Sequence, residues 1–305
     1  MKEIADKLTS NKKCSCLLVF KGGKTVYEKY SGRVSRDTIH PINSITKTVV
    51  SILMGIAVDK GYIGSLDDDI SVYVPGAQRV SIRSHLTMTS GMDWSEGLIR
   101  KASWKEYICS KEIAEERAGV FQYNGGSSHL LGIAISNASG MSLEDFAKDH
   151  LFNPLGIELM EDVPELEYRL SSYSWKRALA WDRDPEGYNI GSFGLSLKAE
   201  DLLKLGVLIL GGGIWNGKRV VSREYIEEMI KPHVKAGLLH YGYHIWVKKT
   251  RGVATVSALG YGNQYLTVLP EHDAVIVILS ESDGEQSSEI EKHHGELIGA
   301  VSKIL

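Results

Sequence analysis

Ser44-Ile45-Thr46-Lys47 sets a hydroxyl and an amine three positions apart, where a polar, turn-prone stretch gives way to an apolar run. On a helix such residues share a face, so the amine could reach the hydroxyl. Serine becomes a useful nucleophile once a base takes its proton. An amine in an apolar pocket can be that base, because burial disfavours the ammonium form. Asn43 and Ser44 are helix-starting types, and Val49, Val50, Leu53, Ile56 and Ala57 follow at helical spacing. Ser44 would then stand at a helix N-terminus, where free backbone N–H groups favour a developing anion. The spacing alone is common, about one chance occurrence in a chain of this length. A second one, Ser10 to Lys13, lies in a polar segment with no helical pattern behind it. On this motif alone the reading of Ser44 as an ordinary N-cap serine is the favoured one.

The 305 residues suffice for a large core, and 43% hydrophobic with 24% charged residues is ordinary for a globular chain. A formal net charge of −3 gives no electrostatic case for nucleic acid or an anionic membrane as partner. Met1 to Lys13 lacks the apolar run of a secretory signal, and no stretch has the length of a membrane span, so a cytoplasmic location is expected. Cys14 and Cys16, two apart in a predicted strand, should point to one face and not bridge. With Cys109 they read as small buried hydrophobes in a reducing compartment, a reactive thiol being the alternative. There is no Gly-x-Ser-x-Gly elbow and no His-Glu-x-x-His. His293 and His294 would diverge by about 100° on a helix, so they cannot chelate together and read as a solvated face. Neither a metal nor an organic cofactor is expected.

The elements that must hold these groups follow from periodicity. Cys16–Phe20 and Thr25–Tyr30 read as strands joined by a Lys21-Gly22-Gly23-Lys24 turn, and the Ser44 helix should end near Gly61. Residues 81–152 look mostly helical, clearest at Ser142–Leu151, and 160–195 read as an ordered loop. A helix is predicted over Lys198–Leu210, with strands near His244–Lys248, Val253–Ala258, Tyr265–Val268 and Val275–Leu279, and a final helix over Glu285–Leu305. The expected fold is α/β (α+β): an antiparallel sheet flanked by helices, built from residues 1–80 and 190–305, with a mainly helical domain, 81–189, inserted between them.

Several segments together resemble the serine β-lactamase and penicillin-binding-protein superfamily, in its class C and esterase-like branch. Ser44 to Lys47 with the downstream GYIGSLDDDISVYVPG run resembles its first motif, Ser81–Trp94 the opening of its helical domain, and Phe121–Gly132 (FQYNGGSSHLLG) its second motif. Asn153-Pro154-Leu155-Gly156 and Tyr241-Gly242-Tyr243 are similar to further landmarks, and Ala258–Gln264 (ALGYGNQ) stands where the third motif falls. The resemblance implies a β-lactamase/transpeptidase-like fold with the site between sheet and helical parts. It makes Ser44 the acylated nucleophile, Lys47 its base and Tyr123 a partner in proton transfer, polarised by the lysine. It also implies an oxyanion hole from the backbone N–H groups of Ser44 and Tyr261, with Gly260 and Gly262 letting substrate lie close to that strand. Trp181 and Tyr188 are candidates to line an acyl or alcohol pocket, with plain packing as their alternative.

Two departures bear on substrate. Lactam-recognising members carry Lys-Thr-Gly or His-Thr-Gly at the third motif, whereas this chain has Ala258-Leu259-Gly260. The second motif reads Tyr123-Asn124-Gly125 in place of Tyr-x-Asn. The groups that would bind a substrate carboxylate and an acylamino chain are missing. The third motif looks like that of nylon-oligomer hydrolases and related esterases. The expected function is therefore a serine hydrolase acting through an acyl-enzyme on small carboxylic esters or amides. The alternatives are a β-lactamase or D-alanyl-D-alanine peptidase, and a non-catalytic sensor on the same scaffold.

Overall fold

The longest apolar runs of the chain become the inner strands of one antiparallel sheet. The computed structural model describes all residues except 12–13, 33, 94–96, 161–165, 171–172, 178, 281–286 and 305, with 166–170 and 173–177 described by backbone alone. The strands are β1 (Cys14–Lys21), β2 (Lys24–Tyr30), β3 (Val234–Ala236), β4 (Leu239–Tyr241), β5 (Trp246–Thr250), β6 (Val253–Gly260), β7 (Gln264–Leu269) and β8 (Ala274–Ser280). Across the sheet they lie in the order β3-β4-β5-β6-β7-β8-β1-β2, so both ends of the chain build one eight-stranded sheet. Gly22 and Gly23, at φ 57° and 80°, close the β1–β2 hairpin with Lys21 opposite Lys24, as the sequence predicts.

Every residue of β8 is buried because both faces of the sheet are covered. Val275, Val277 and Leu279 belong to the apolar cluster that also holds residues of helices α2 (Thr46–Asp59), α3 (Gly125–Ser139) and α4 (Ala199–Leu210). Ala274, Ile276 and Ile278 pack with α1 (Lys2–Ser10) and α5 (Ser288–Val301). This is why β8 reads as a continuous apolar run without alternation.

Several expectations need correction. A bulge between Cys14 and Cys16 shifts their register against β8, so Cys14 joins the α1–α5 side and Cys16 the α2–α4 side. They do not share a face, because the extra residue breaks the two-residue period. Burial raises both thiols to about 12. Within 81–152, Ser90–Met92 and Ile113–Ala118 pair as strands beside helices Ile82–Leu86 and Trp104–Cys109. Sheet pairing there overrides the helix-favouring composition of Ile113–Ala118. Within 160–195, the backbone of Leu166–Leu170 pairs with Tyr173–Arg177 as a hairpin.

Helix α5 is narrower than Glu285–Leu305, of which residues 285, 286 and 305 lie outside the described set, as do Lys13 of the second Ser-x-x-Lys and Trp94. Its His294 is not solvated: it is buried, lies 3.1 Å from the Thr267 hydroxyl and packs against Tyr265. Among the described residues, no helix is long and apolar enough to cross a membrane.

Candidate active site

Ser44 belongs to a single 3₁₀ turn, Asn43–Ile45, that leads into α2. Asn43 takes the left-handed conformation at φ 51°, which asparagine tolerates better than most residues. Thr46 steadies the turn through a 2.7 Å bond from its hydroxyl to the Asn43 carbonyl. Behind it α2 is buried on nearly all sides, which explains its apolar run and fixes the turn's direction.

Lys47 is only 4% exposed, and its Nζ donates to Ser44 Oγ at 3.0 Å and to the Ser192 carbonyl at 2.6 Å. The same Nζ lies 4.9 Å from the centroid of the Tyr123 ring. Tyr123 is 39% exposed; its ring stacks on Trp246 at 6.2 Å and meets Tyr241 edge-on at 6.5 Å. Ser44, Lys47 and Tyr123 are thus brought together, with the amine against the ring of the tyrosine.

The end of β6 lies against the serine turn. Asn43 Nδ2 donates to the Tyr261 carbonyl at 2.8 Å. A Cβ at Gly260 would stand 2.4 Å from the Ile42 carbonyl oxygen, so only glycine permits this approach. Gly262, at φ 77°, forms the turn into β7. Gln264 locks that turn, its Nε2 donating to the carbonyls of Gly262 (3.1 Å) and Ser280 (3.0 Å) and its Oε1 accepting from Ser280 N–H (3.0 Å).

A buried polar layer supports Lys47 from below. The His244 ring has Nδ1 3.2 Å from the Lys47 carbonyl and Nε2 3.2 Å from the His85 carbonyl. Burial first, and the Lys47 ammonium second, lower its pKa to about 3. Burial likewise lowers His85 to about 4; its Nδ1 lies 3.0 Å from the Ser127 hydroxyl. Both rings are therefore neutral at pH 7, which spares the site a second cation beside Lys47.

Two expected pocket residues lie elsewhere. Trp181 is wholly buried, its Nε1 donating to the Ile190 carbonyl at 2.9 Å and its ring beside Phe152. It is a core residue and cannot line a substrate pocket. Tyr188 borders a surface hollow of about 410 Å³ with Ser136, Asn137 and Gly140. That hollow is at the far end of α3, roughly 20 Å along the helix from Tyr123 at 1.5 Å per residue.

Sequence reasoning missed the Ser192 carbonyl, His244 and the Trp246–Tyr241 platform under Tyr123. Only Tyr241-Gly242-Tyr243 had drawn attention to that last region, and a backbone acceptor leaves no sequence signal. Among the described residues, no three His, Cys, Asp or Glu side chains gather as a metal site.

An antiparallel sheet of this order, with Ser-x-x-Lys entering the helix buried beside it, defines the β-lactamase/transpeptidase-like fold. The chain belongs to the beta-lactamase family, whose model matches residues 13–300. It is 23% identical to the 6-aminohexanoate-dimer hydrolase of Paenarthrobacter ureafaciens, over 86% of this chain and 71% of that protein. Among solved structures it resembles the octameric penicillin-binding protein homologue from Pyrococcus abyssi, at TM-score 0.77 and 22% identity over 100% of this chain and 78% of the other. It also resembles EstCE1, a hydrolase with promiscuous acyltransferase activity, at TM-score 0.76 and 15% identity over 97% of this chain and 98% of the other.

Proposed function

We propose that this protein is a serine hydrolase that works through an acyl-enzyme on Ser44, with small carboxylic esters or amides as substrates. The observation that carries this is the buried Lys47 amine 3.0 Å from Ser44 Oγ, with a second acceptor, the Ser192 carbonyl, holding it there. In its neutral form the amine turns its lone pair to the hydroxyl and keeps an N–H on Ser192. Ser44 Oγ then attacks the substrate carbonyl as its proton passes to Lys47. The oxyanion forms between the N–H groups of Ser44 and Tyr261. The first is in the opening turn of a helix, where amides lack intrahelical partners, and the second belongs to the residue whose carbonyl accepts the Asn43 amide. The proton goes on to the leaving alcohol or amine, by way of Lys47 and the Tyr123 hydroxyl. Water then repeats the sequence on the ester and frees the acid.

Ala258-Leu259-Gly260 presents no charged side chain, and Leu259 packs toward the α1–α5 side of the sheet. A substrate carboxylate finds no counter-ion there, which favours esters or amides without one. The relative named for hydrolysis of a 6-aminohexanoate dimer, which is an amide, and the structural neighbour described as a hydrolase are consistent with hydrolysis of an amide or ester bond. No cofactor enters the cycle, and the partner is the small-molecule substrate.

The test is intact-mass analysis after a fluorophosphonate or p-nitrophenyl butyrate, comparing wild type, Ser44→Ala and Lys47→Ala. We expect one adduct on wild type, none on Ser44→Ala, and slow labelling of folded Lys47→Ala. An adduct persisting on Ser44→Ala would remove Ser44 as nucleophile. An unlabelled wild type would mark a binding protein, and rapid nitrocefin turnover would place the substrate among β-lactams.

A further inference from the structure

Two completely buried side chains outside the reacting group form a polar pair in the core. His129 on α3 and Asp184 on the 179–195 segment are both 0% exposed, with His129 Nε2 3.1 Å from Asp184 Oδ2. At the other edge of the ring, Nδ1 accepts the Gly191 N–H at 3.3 Å. An acceptor at Nδ1 places the imidazole proton on Nε2, where it donates to Asp184. The second carboxylate oxygen, Asp184 Oδ1, accepts the N–H groups of Glu186 (2.9 Å) and Tyr188 (2.8 Å). One histidine thus grips this segment at two points, seven residues apart.

What lies next to Gly191 gives the pair its significance. Ser192 follows it, and the Ser192 carbonyl is the 2.6 Å acceptor of Lys47 Nζ. Gly191 has no room for a side chain, since a Cβ would sit 2.3 Å from the Ser128 carbonyl oxygen. Beyond Ser192, Leu195 N–H donates to Thr46 Oγ1 at 3.3 Å and the Leu195 carbonyl accepts Ile42 N–H at 3.0 Å. The segment therefore wraps the serine turn, and His129 holds it at Gly191, one residue before the carbonyl that meets Lys47.

We propose that His129 and Asp184 are positioning residues that keep the Ser192 carbonyl on the Lys47 amine, and so keep that amine aimed at Ser44. This rests on the function proposed above and adds to it the device that orients the base. The groups facing the amine are the Ser44 hydroxyl, the Ser192 carbonyl, the Tyr123 ring and the neutral His244 ring. Of these, the Ser192 carbonyl is the strongest acceptor for an ammonium. Its withdrawal removes a direct hydrogen bond from the amine and leaves it free to turn away from Ser44.

Asp184→Asn is the informative change. Its carbonyl oxygen can still accept from Glu186 and Tyr188, but its amide must donate to His129 Nε2. The imidazole proton then moves to Nδ1, where it faces the Gly191 N–H, donor against donor, and pushes Gly191 and Ser192 off. His129→Gln approaches the same point differently: it keeps a donor toward Asp184 and gives up the Nδ1 acceptor. For each folded variant we measure fluorophosphonate labelling of Ser44 and p-nitrophenyl butyrate hydrolysis from pH 5 to 10. We expect the plateau labelling rate to fall about tenfold or more. KM should stay within about twofold, so that the loss falls on the acylation rate. A pair that merely glued the fold would change the melting temperature alone.

Ser44→Ala, run alongside, keeps the two claims apart. If it still labels, the functional reading fails, whatever His129 does. If Ser44→Ala does not label and folded Asp184→Asn matches wild type in labelling rate, the positioning proposal fails alone. Nitrogen-resolved imidazole spectra of the wild type decide the case even if neither variant folds. A proton on Nε2 of His129 supports the proposal, and one on Nδ1 overturns it.

Discussion

Asn43 and Tyr261 are 218 positions apart in the chain and are joined by a 2.8 Å hydrogen bond from the Asn43 amide to the Tyr261 carbonyl. This bond couples the turn that bears Ser44 to the end of β6. The two N–H groups proposed to share the oxyanion, those of Ser44 and Tyr261, adjoin its two ends. The bonding side chain is itself only 1% exposed.

Asn43→Gly tests that coupling cleanly, because glycine accepts the left-handed φ of 51° at no steric cost and removes only the amide. The Ser44 labelling rate should fall about tenfold or more, as expected when an oxyanion donor is displaced. The folded state should lose only about 1 kcal/mol, the worth of one hydrogen bond, in urea unfolding. A labelling rate within about twofold of wild type would show that the Tyr261 turn holds its place unaided.

Gly260→Ala attacks the same junction from the other side. The new Cβ would meet the Ile42 carbonyl oxygen at 2.4 Å, and a backbone atom cannot yield as a side chain would. The strand end must retreat from the serine turn, at a cost of about 1–3 kcal/mol for overpacking. Labelling should be slowed more than the stability loss predicts. A variant as stable and as fast as wild type would mean that β6 can shift without disturbing the site.

Stability should fall with acid through buried histidines. Burial is the leading cause that lowers His40 and His85 to about 4, and His244 and His294 to about 3, against an ordinary value near 6.5. A pKa depressed on folding means that the unfolded chain binds these protons first. The stabilisation is complete above about pH 6.5 and drains away as pH drops toward 4 and then 3. Each of the four should approach a slope of ~1.4 kcal/mol per pH unit in that window. Urea midpoints flat between pH 7.5 and 5 would show that these rings are not held neutral.

What could be read beforehand follows a physical line. Strands such as Val275–Leu279 announce themselves because burial on both faces demands an unbroken apolar run. The Gly22-Gly23 turn does so because few residues adopt its backbone. Ser44, Lys47 and Tyr123 were legible as types at family spacings. Less visible were features made by tertiary structure alone: the bulge that parts Cys14 from Cys16, the carbonyl of Ser192, and the burial of Trp181. Trp181 looked like a pocket residue because it falls in a polar, aromatic segment. Its indole proton is satisfied by the Ile190 carbonyl, and that allows a tryptophan to sit wholly in the core. His294 misled for a related reason, since a helix pattern gives the angle between neighbours but not which of them meets the sheet.

Tyr123→Phe separates the two parts of that residue. The ring's stacking on Trp246 and its place 4.9 Å from Lys47 Nζ survive the change, so the platform and the amine's surroundings are kept. Only the hydroxyl goes, and it is the group proposed to relay the proton to the leaving group. Loss of a general acid typically costs 10²–10⁴ in rate where the leaving group needs its proton, so amide turnover should fall by about 10² or more. The melting temperature should stay near wild type, because a side chain 39% exposed gives up little burial with one oxygen. The fall should be steeper for amides than for p-nitrophenyl esters, since an amine must be protonated to leave whereas p-nitrophenolate leaves unaided. Unchanged amide turnover would confine Tyr123 to a packing role and leave Lys47 to move the proton in both directions.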